Sequence, residues 1–233
     1  MKTAILFFLI INTAFCISAN PLTDPAIPDG EKITYKVTKE DEVSWTTMEI
    51  RQESNDAGNY YVIHTQSPEE ESDVYIRNYG LIPFKSYTVK KQNGTEMTEE
   101  ININRMPTYG PESIAVIGLP DLIHVLRGFP FEKDMELDLV FIGQEGSDEF
   151  FSMKIVYEKE EEIEVNGKIY KVHKLRLKPV LSGIMKLAGG LFPKTYLWYS
   201  VEKPHYLIKY TGSAGASSDE QTIEISSYSV SGR

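Results

Sequence analysis

Apolar and polar residues alternate along most of the chain from residue 31 onward. Ile33, Tyr35 and Val37 alternate with polar neighbours, which is the two-residue period of a strand with one buried face. Further strand-like runs follow at a spacing of roughly ten residues. They are residues 45–50, 60–65, 74–77, 83–90, 95–104, 137–141, 151–157, 196–201, 205–210 and 222–230. The connections between the first runs are too short for crossover helices, so the pattern predicts an antiparallel meander.

One hairpin can be predicted together with its register. Asn166-Gly167 is a two-residue turn sequence of the kind that needs positive φ at both positions. Counting back from this turn pairs Ile163 with Tyr170 on one face. The same register places Glu162 opposite Lys171, and opposite charges stabilise such a cross-strand pair.

The second strand of this hairpin changes its apolar face halfway along. Tyr170 and Val172 share one parity, whereas Leu175 and Leu177 share the other. If all four side chains face the core, a β-bulge at His173-Lys174 must separate the two pairs, because a bulge shifts the alternation by one residue.

A single helix is predicted in the middle of the chain. Leu119, Leu122, Ile123 and Leu126 recur at helical spacing, Pro120 suits the first helical turn, and Gly128 can cap the end. Such a short helix is unstable alone, so it must lie on the sheet. The predicted fold is therefore mainly β: a single curved antiparallel sheet, an open or half barrel of about eleven strands, with one short helix packed across it.

The first nineteen residues have the pattern of a signal peptide. Lys2 is followed by the apolar run AILFFLII at 4–11, and Ala19 is the small residue that a signal peptidase requires. A membrane-spanning helix needs about 20 apolar residues, and Asn12 and Thr13 interrupt this run. We therefore predict a signal peptide at 1–19, an extended leader at 20–28 and a single β-rich domain at 29–233. The expected location is periplasmic or extracellular, with no integral membrane span after signal removal.

Composition narrows the chemistry that the mature chain can perform. Lys and Arg total 24 against 34 Asp and Glu, which gives a formal net charge of −10 and disfavours nucleic acid as a partner. Cys16 is the single cysteine and lies inside the predicted signal peptide. The mature chain therefore has no disulfide, no thiolate nucleophile and no cysteine-ligated metal.

The signatures of common catalytic and metal sites are absent from the sequence. Gly212-Ser213-Ala214-Gly215 lacks the spacing of a serine-hydrolase elbow, and Lys194-Thr195 lacks the glycines of a phosphate-binding loop. The four histidines, at 64, 124, 173 and 205, form no His-Glu-x-x-His or His-x-His pair. We therefore assign no catalytic residue, no metal ligand and no cofactor.

Apolar residues around the helix and in the glycine-containing segment 181–192 are the candidates for a ligand site. A curved sheet with a helix across its mouth encloses a concave apolar space, which is a usual form of small-ligand site. The predicted ligand-binding residues are Ile117, Leu122, Leu126, Phe129, Ile184, Met185, Leu187, Leu191, Phe192 and Trp198. The alternative is that these side chains fill an ordinary core.

Four stretches, in order, resemble an uncharacterised family of exported bacterial proteins that carry a domain of unknown function. They are DGEKITYKV at 29–37, LPDLIHVLRGFPF at 119–131, VNGKIYKVHKLRLKPVL at 165–181 and PKTYLWYSVEKPHYLIKYTG at 193–212. The resemblance implies an exported β-rich domain and supplies no catalytic residues. At the level of the fold, strands curved over a helix are similar to the lipoprotein-localisation carriers, whose open barrel holds acyl chains.

Three functions remain open from the sequence. The first is a non-enzymatic protein of the cell envelope that binds an apolar or acyl ligand, such as a lipid, in a half barrel. The second is a structural or protein-interaction module of the envelope, with another envelope protein as its partner. The third and least favoured is a hydrolase, which would need a histidine and a serine or acid to converge in the pocket.

Overall fold

The computed structural model describes residues 21–92, 95–102, 113–141, 151–180, 194–213 and 220–231. Its strands are β1 (Glu31–Lys39), β2 (Glu42–Asn55), β3 (Gly58–Gln66), β4 (Glu70–Arg77), β5 (Ile82–Gln92), β6 (Thr95–Asn102), β7 (Ser113–Val116), β8 (Glu136–Phe141), β9 (Phe151–Val165), β10 (Lys168–Pro179), β11 (Thr195–Ser200), β12 (Leu207–Ser213) and β13 (Glu220–Val230). The helix α1 (Leu119–Val125) continues into a 3-10 turn (Leu126–Gly128), and a second 3-10 turn lies at Tyr79–Leu81. In these residues no helix has the length and apolar character needed to cross a bilayer.

All of these strands belong to one curved, unclosed sheet, which confirms the predicted mainly-β fold with a single short helix. The strand order is β6-β5-β4-β3-β2-β1-β13-β12-β11-β10-β9-β8-β7, so the pairing of β1 with β13 joins the two ends of the described chain. Neighbouring strands are antiparallel except for β7, which pairs in parallel with β8. The sheet has 13 described strands rather than about eleven, and one addition is β7, whose four residues are too few for a clear alternation.

The core lies between α1 and the face of the sheet that packs against it, which we call the inner face. Alternate residues of β1 and β2 are buried on this face, including Ile33, Tyr35 and Met48. From the helix, Leu122 and Leu126 join the same apolar cluster. The helix contacts β3, β4 and β7. A helix of seven residues is thus stabilised by packing, as its length requires.

The hairpin of β9 and β10 has the predicted turn and the predicted pairs. Asn166 and Gly167 both have positive φ, at 51° and 76°. Ile163 pairs with Tyr170, and Glu162 pairs with Lys171. A register shift occurs next to Lys174, as the change of apolar face indicates, but the extra residue is Glu158 of β9 rather than a residue of β10. The bulge therefore lies opposite the predicted position.

The segment before β1 is packed into the fold although it has no regular secondary structure. Leu22 and Ile27 are 4% and 1% exposed and belong to the core. The Thr23 amide donates to the Gly128 carbonyl at 3.0 Å. A Cβ atom at Gly128 would collide with the backbone of Thr23 and with Leu81. Glycine at this position therefore permits the close approach of segment 21–28.

The start of α1 is stabilised by the buried carboxyl group of Asp121. Its two oxygens accept hydrogen bonds from the amides of Ile117 and Gly118, each at 2.6 Å. Amides at a helix start have no partner within the helix, so these bonds satisfy donors that burial would otherwise leave unpaired. Burial nevertheless disfavours the charged form and raises the pKa of Asp121 to about 7, even though the backbone hydrogen bonds oppose the shift.

We expect Asp121 to make the free energy of unfolding depend on pH. Since its pKa is about 3.8 when unfolded and about 7 when folded, the native state binds more protons between these values. The stability from this group is complete below pH 4 and declines as pH rises towards 7. The difference in unfolding free energy between wild type and Asp121→Asn, measured in guanidinium from pH 4 to 8, should therefore move against the wild type with rising pH. The histidines titrate in both proteins, so their contribution to the pH dependence cancels in this difference. A difference that stays constant with pH would contradict the raised pKa of Asp121.

A fully buried ion pair connects the end of the helical segment to the sheet. Arg127, in the 3-10 turn after α1, contacts Glu31 of β1 through both terminal nitrogens, at 2.6 and 3.0 Å. Its Nε donates to the carbonyl of Pro204 at 2.9 Å, and the Tyr228 hydroxyl donates to Glu31 at 3.1 Å. Both charged side chains are 0% exposed. Bidentate geometry and additional hydrogen bonds are what allow such a pair to be buried.

We expect Arg127→Met to lower the free energy of unfolding by about 3–5 kcal/mol, because it leaves the Glu31 carboxylate buried without its cation. The double variant E31M/R127M should be less destabilised than R127M alone, since it removes both charges. Denaturant unfolding of the two variants beside wild type measures this. If the double variant is the less stable of the two, the pair is not the source of the effect.

Candidate functional site

An open cavity of about 740 Å³ lies between α1 and the inner face of the sheet. It is bounded by strands β1 to β5 and β13 and by the first residues of α1. Its lining residues are Tyr35, Val37, Thr46, Met48, Thr65, Ser67, Glu69, Glu70, Lys90, Lys91, Leu119, Pro120, Ile123, Gln221 and Ile223. The alternation of β1 and β2 directs Val37 and Met48 into this space, because they share the parity of the core residues.

A second cavity, of about 440 Å³, adjoins the first at the start of α1. Glu70, Lys90, Leu119 and Pro120 line both cavities. The residues that line only the second are Ser72, Val74, Ser86, Thr88, Glu99, Ile101, Ile117, Gly118 and Asp121. We refer to the two cavities together as the inner groove. It passes from β1 and β13 beneath the first turn of α1 to β6, at the edge of the sheet.

One end of the inner groove is apolar. Val37, Met48 and Ile223 come from the sheet, and Leu119 and Ile123 face them from the helix. Ile123 is held in place because its carbonyl accepts a hydrogen bond from the buried Tyr199 hydroxyl at 3.0 Å. The helix and the sheet thus offer apolar surface on opposite sides of the same space.

A row of hydroxyl groups crosses the floor of the groove. Thr65 of β3, Ser72 of β4 and Thr88 of β5 are consecutive cross-strand partners, so their side chains are neighbours on the inner face. Thr65 and Ser72 are 5% and 3% exposed. Within the described residues, neither of their hydroxyl oxygens has a hydrogen-bond partner.

Charged side chains lie next to this row, one on each of three strands: Glu70 and Lys90 are two residues along from Ser72 and Thr88, and Glu99 is the cross-strand partner of Thr88. The Lys90 ammonium contacts the Glu99 carboxylate at 3.3 Å. Glu70, the cross-strand partner of Lys90, is half-buried, and burial raises its pKa despite the opposing effect of Lys90. Among the described lining residues, acidic side chains (Glu69, Glu70, Glu99, Asp121) outnumber basic ones (Lys90, Lys91).

Apart from Trp198, the predicted ligand-binding residues divide into three groups. Leu122, Leu126 and Phe129 are at most 2% exposed and pack together in the core. Ile117 is half-buried and lines the smaller cavity. Ile184, Met185, Leu187, Leu191 and Phe192 lie outside the described residues. The role of all these residues in ligand binding stays a prediction.

Trp198, the remaining predicted residue, lies away from the inner groove. It is on β11, where the neighbouring Leu197 is a fully buried core residue. Its indole nitrogen donates to Glu161 at 2.8 Å, and the Lys174 ammonium lies 5.3 Å from the ring centroid. Trp198 is itself 9% exposed and belongs to the buried apolar cluster, so these contacts give it a packing role among β9, β10 and β11.

The four histidines do not form a hydrolytic centre with serine in the described part of the chain. His64 contacts Asp73 at 2.9 Å, and His124 is buried beside Arg127 at 3.4 Å. His173 and His205 come together, with ring centroids 5.8 Å apart, but their nitrogens contact the Tyr157 hydroxyl and the Ser200 carbonyl. No serine hydroxyl is among these partners.

Burial lowers the pKa of three of these imidazoles. The shift is largest for His124, and the adjacent Arg127 cation reinforces it. For His173 the neighbouring His205 acts in the same direction, and His205 is itself shifted mainly by burial. The described residues contain no cluster of three or more His, Cys, Asp or Glu side chains that could hold a metal ion.

The sequence reasoning missed the polar floor of the inner groove. A usable signal was present, because Thr65 shares the parity of the buried residues Tyr61 and Ile63, and Ser72 shares the parity of Val74. Polar residues on the apolar parity of a strand either lie inside the core or line a site. Thr65 and Ser72 lie side by side under the first turn of α1 because of the order of strands in the sheet, which the sequence of a single strand does not reveal.

Searches of protein-family models and of curated proteins found no match to this chain. Among solved structures, the chain is similar to a β-barrel-like protein of the domain of unknown function DUF1849 from Brucella abortus, with 9% identity and a TM-score of 0.47 over 87% of this chain and 98% of that one. It is also similar to a presumed exported protein with a YmcC-like fold from Bacteroides fragilis, with 7% identity, a TM-score of 0.32 and coverage of 87% and 98%. A presumed lipoprotein from Parabacteroides distasonis matches with 10% identity, a TM-score of 0.36 and coverage of 89% and 99%. These descriptions are of the same kind as the family named from the sequence motifs.

Proposed function

We propose that the protein is an exported, non-enzymatic protein of the cell envelope whose inner groove binds an apolar or acyl ligand. The observation that carries the proposal is the open space of about 740 Å³ between α1 and the sheet, with apolar side chains on both walls. This volume lies within the range of small-ligand sites, which is roughly 300–1,000 Å³. The signal-peptide pattern at 1–19 supports export.

The lining of the groove suits a ligand with a long apolar part. Each methylene group that leaves water contributes about 0.8 kcal/mol, so a chain along Val37, Met48 and Ile223 gains affinity with its length. Met48 adds adaptability, because its unbranched side chain can adopt several rotamers against chains of different shape. The polar residues at the other end leave room for a head group.

Val37→Trp tests the groove directly. An indole at this position fills the space between β1 and α1, so we expect the affinity for the apolar dye N-phenyl-1-naphthylamine to fall about tenfold or more. Val43→Trp is the matched control, since Val43 is 52% exposed on the neighbouring strand and does not line the groove. Fluorescence titration of purified protein measures both affinities, and thermal melting verifies that both variants are folded.

Two results would contradict the proposal. If the wild-type protein shows no saturable dye binding, the groove does not bind an apolar ligand. Saturable binding that V37W leaves unchanged would place the ligand elsewhere in the protein.

A second candidate function is interaction with another envelope protein. The observation that favours it is a pair of exposed apolar side chains, Val43 and Trp45, which are 52% and 51% exposed. They share one parity of β2, opposite to that of Met48, so they lie on the face of the sheet turned away from α1. Large exposed side chains grouped in this way are typical of protein contacts.

A photo-crosslinking residue at position 45 should capture a protein partner in the cell envelope. The same residue at Tyr79, which is 89% exposed in a different part of the surface, serves as the control. We expect adducts at position 45 and fewer at position 79, detected as bands of higher mass by immunoblotting. Monomer alone at both positions would exclude this second function.

A further inference from the structure

Two hydroxyl-bearing residues, Thr65 and Ser72, lie in the floor of the inner groove. Both side chains are more than nine-tenths buried, both line the inner groove, and neither oxygen has a partner among the described residues. Buried polar groups are hydrogen-bonded in the great majority of proteins. Two unpaired hydroxyls on residues that line the same groove are therefore the groups to which a polar part of its occupant can hydrogen-bond.

Thr65 and Ser72 are also next to each other in the sheet. Thr65 and Ser72 are direct cross-strand partners on β3 and β4, so they form a single polar spot rather than two separate ones. Met48, which is the cross-strand partner of Thr65 on β2, leads from this spot to the apolar end of the groove. One molecule with an apolar chain and a polar head can therefore contact both regions at once.

The charges around the spot indicate that the head is uncharged. The described lining has four acidic side chains against two lysines, and Lys90 is already paired with Glu99 at 3.3 Å. A carboxylate or phosphate head at Thr65 and Ser72 would have no unpaired cation beside it, because the other lining lysine, Lys91, is exposed and lies three residues along β5 from Thr88, the cross-strand partner of Ser72. Burying a charge under these conditions is costly, whereas a hydroxyl head can donate to or accept from Thr65 and Ser72, and an ester carbonyl can accept from them.

An ammonium head is disfavoured by the state of the same acids. The Asp121 oxygens are engaged by two backbone amides, and Glu99 is engaged by Lys90. Glu70 is half-buried, and burial raises its pKa, which weakens it as a partner for a cation. Asp121, Glu99 and Glu70 are therefore poor partners for an ammonium head.

We infer that the ligand of the inner groove is an uncharged amphiphile, with a long alkyl or acyl chain over Met48 and Leu119 and a hydroxyl or glycerol-ester head hydrogen-bonded to Thr65 and Ser72. This inference rests on the proposed function, because it assigns the chemical class of the ligand for the same groove. A monoacylglycerol is one compound of this class.

Competition between three amphiphiles of equal chain length tests the inference on the purified full-length mature protein. The probes are 1-monomyristoylglycerol, myristate and tetradecyltrimethylammonium, each below its aggregation concentration, and the readout is displacement of N-phenyl-1-naphthylamine. We expect the glycerol ester to displace the dye at a concentration about tenfold lower than either charged compound. A preference for myristate or for the ammonium compound, or equal displacement by all three, would overturn the inference.

The double variant Thr65→Val/Ser72→Ala tests the two hydroxyls, because valine keeps the shape of threonine. We expect it to bind the glycerol ester about tenfold more weakly, as the loss of two hydrogen bonds implies, and to bind the dye as wild type does. Thr34→Val/Ser227→Ala is the matched control, since Thr34 and Ser227 are also cross-strand partners but lie on the parity opposite to the buried Ile33. Unchanged affinity of T65V/S72A for the ester would overturn the inference.

The failure of the inference and the failure of the proposed function give different results. Saturable dye binding without selectivity for the glycerol ester contradicts the inference of an uncharged head group and leaves the proposed apolar binding standing. Absence of saturable dye binding in the wild-type protein contradicts both the inference and the proposed function. If T65V/S72A does not fold, as judged by thermal melting, the selectivity of the wild-type protein among the three amphiphiles decides the question.

Discussion

The buried ion pair between Arg127 and Glu31 is the constraint on which the placement of α1 depends. A charged guanidinium cannot remain in the core without its carboxylate, so the turn that follows α1 has one position relative to β1. The hydrogen bond from Arg127 to the Pro204 carbonyl extends the same constraint to the chain between β11 and β12. The C-terminal end of the helical segment is thereby fixed to both halves of the sheet, near the junction of β1 and β13.

The two ends of the helical segment consequently have different roles. Its C-terminal end is closed, because the segment 21–28 packs against Gly128 and fills the space there. Its N-terminal end stands over strands whose inner residues are small or polar, namely Thr65, Ser72 and Ser86. Short side chains on the sheet leave open the volume that larger residues occupy elsewhere in the core. The inner groove is therefore a consequence of side-chain size along β3 to β5 combined with a helix held from its opposite end.

Local elements of the fold followed from the sequence with good accuracy, and those that failed depend on partners distant along the chain. The hairpin at Asn166-Gly167 was correct in its register because two-residue turns leave little freedom to the strands they join. The bulge was predicted on β10 and lies at Glu158 of β9, since one strand's alternation reveals a change of face but not which strand carries the extra residue. β7 was missed because its four residues are too few for a clear alternation and because its partner β8 lies beyond the helix along the chain.

The periodicity, the turn residues and the helix-start signals were sufficient by themselves to establish a mainly-β chain with one short helix, because these features depend on contacts between near neighbours. The candidate site was predictable only in part. Ile117 lies in the groove, whereas Leu122, Leu126 and Phe129 lie in the core, although all four were predicted alike as apolar residues in or next to the helix. The tertiary structure decided which apolar residues line an open space and which hydroxyl groups lie together beneath the helix. The reason is that the groove is lined by strands that lie far apart along the chain, and only the folded sheet brings them side by side.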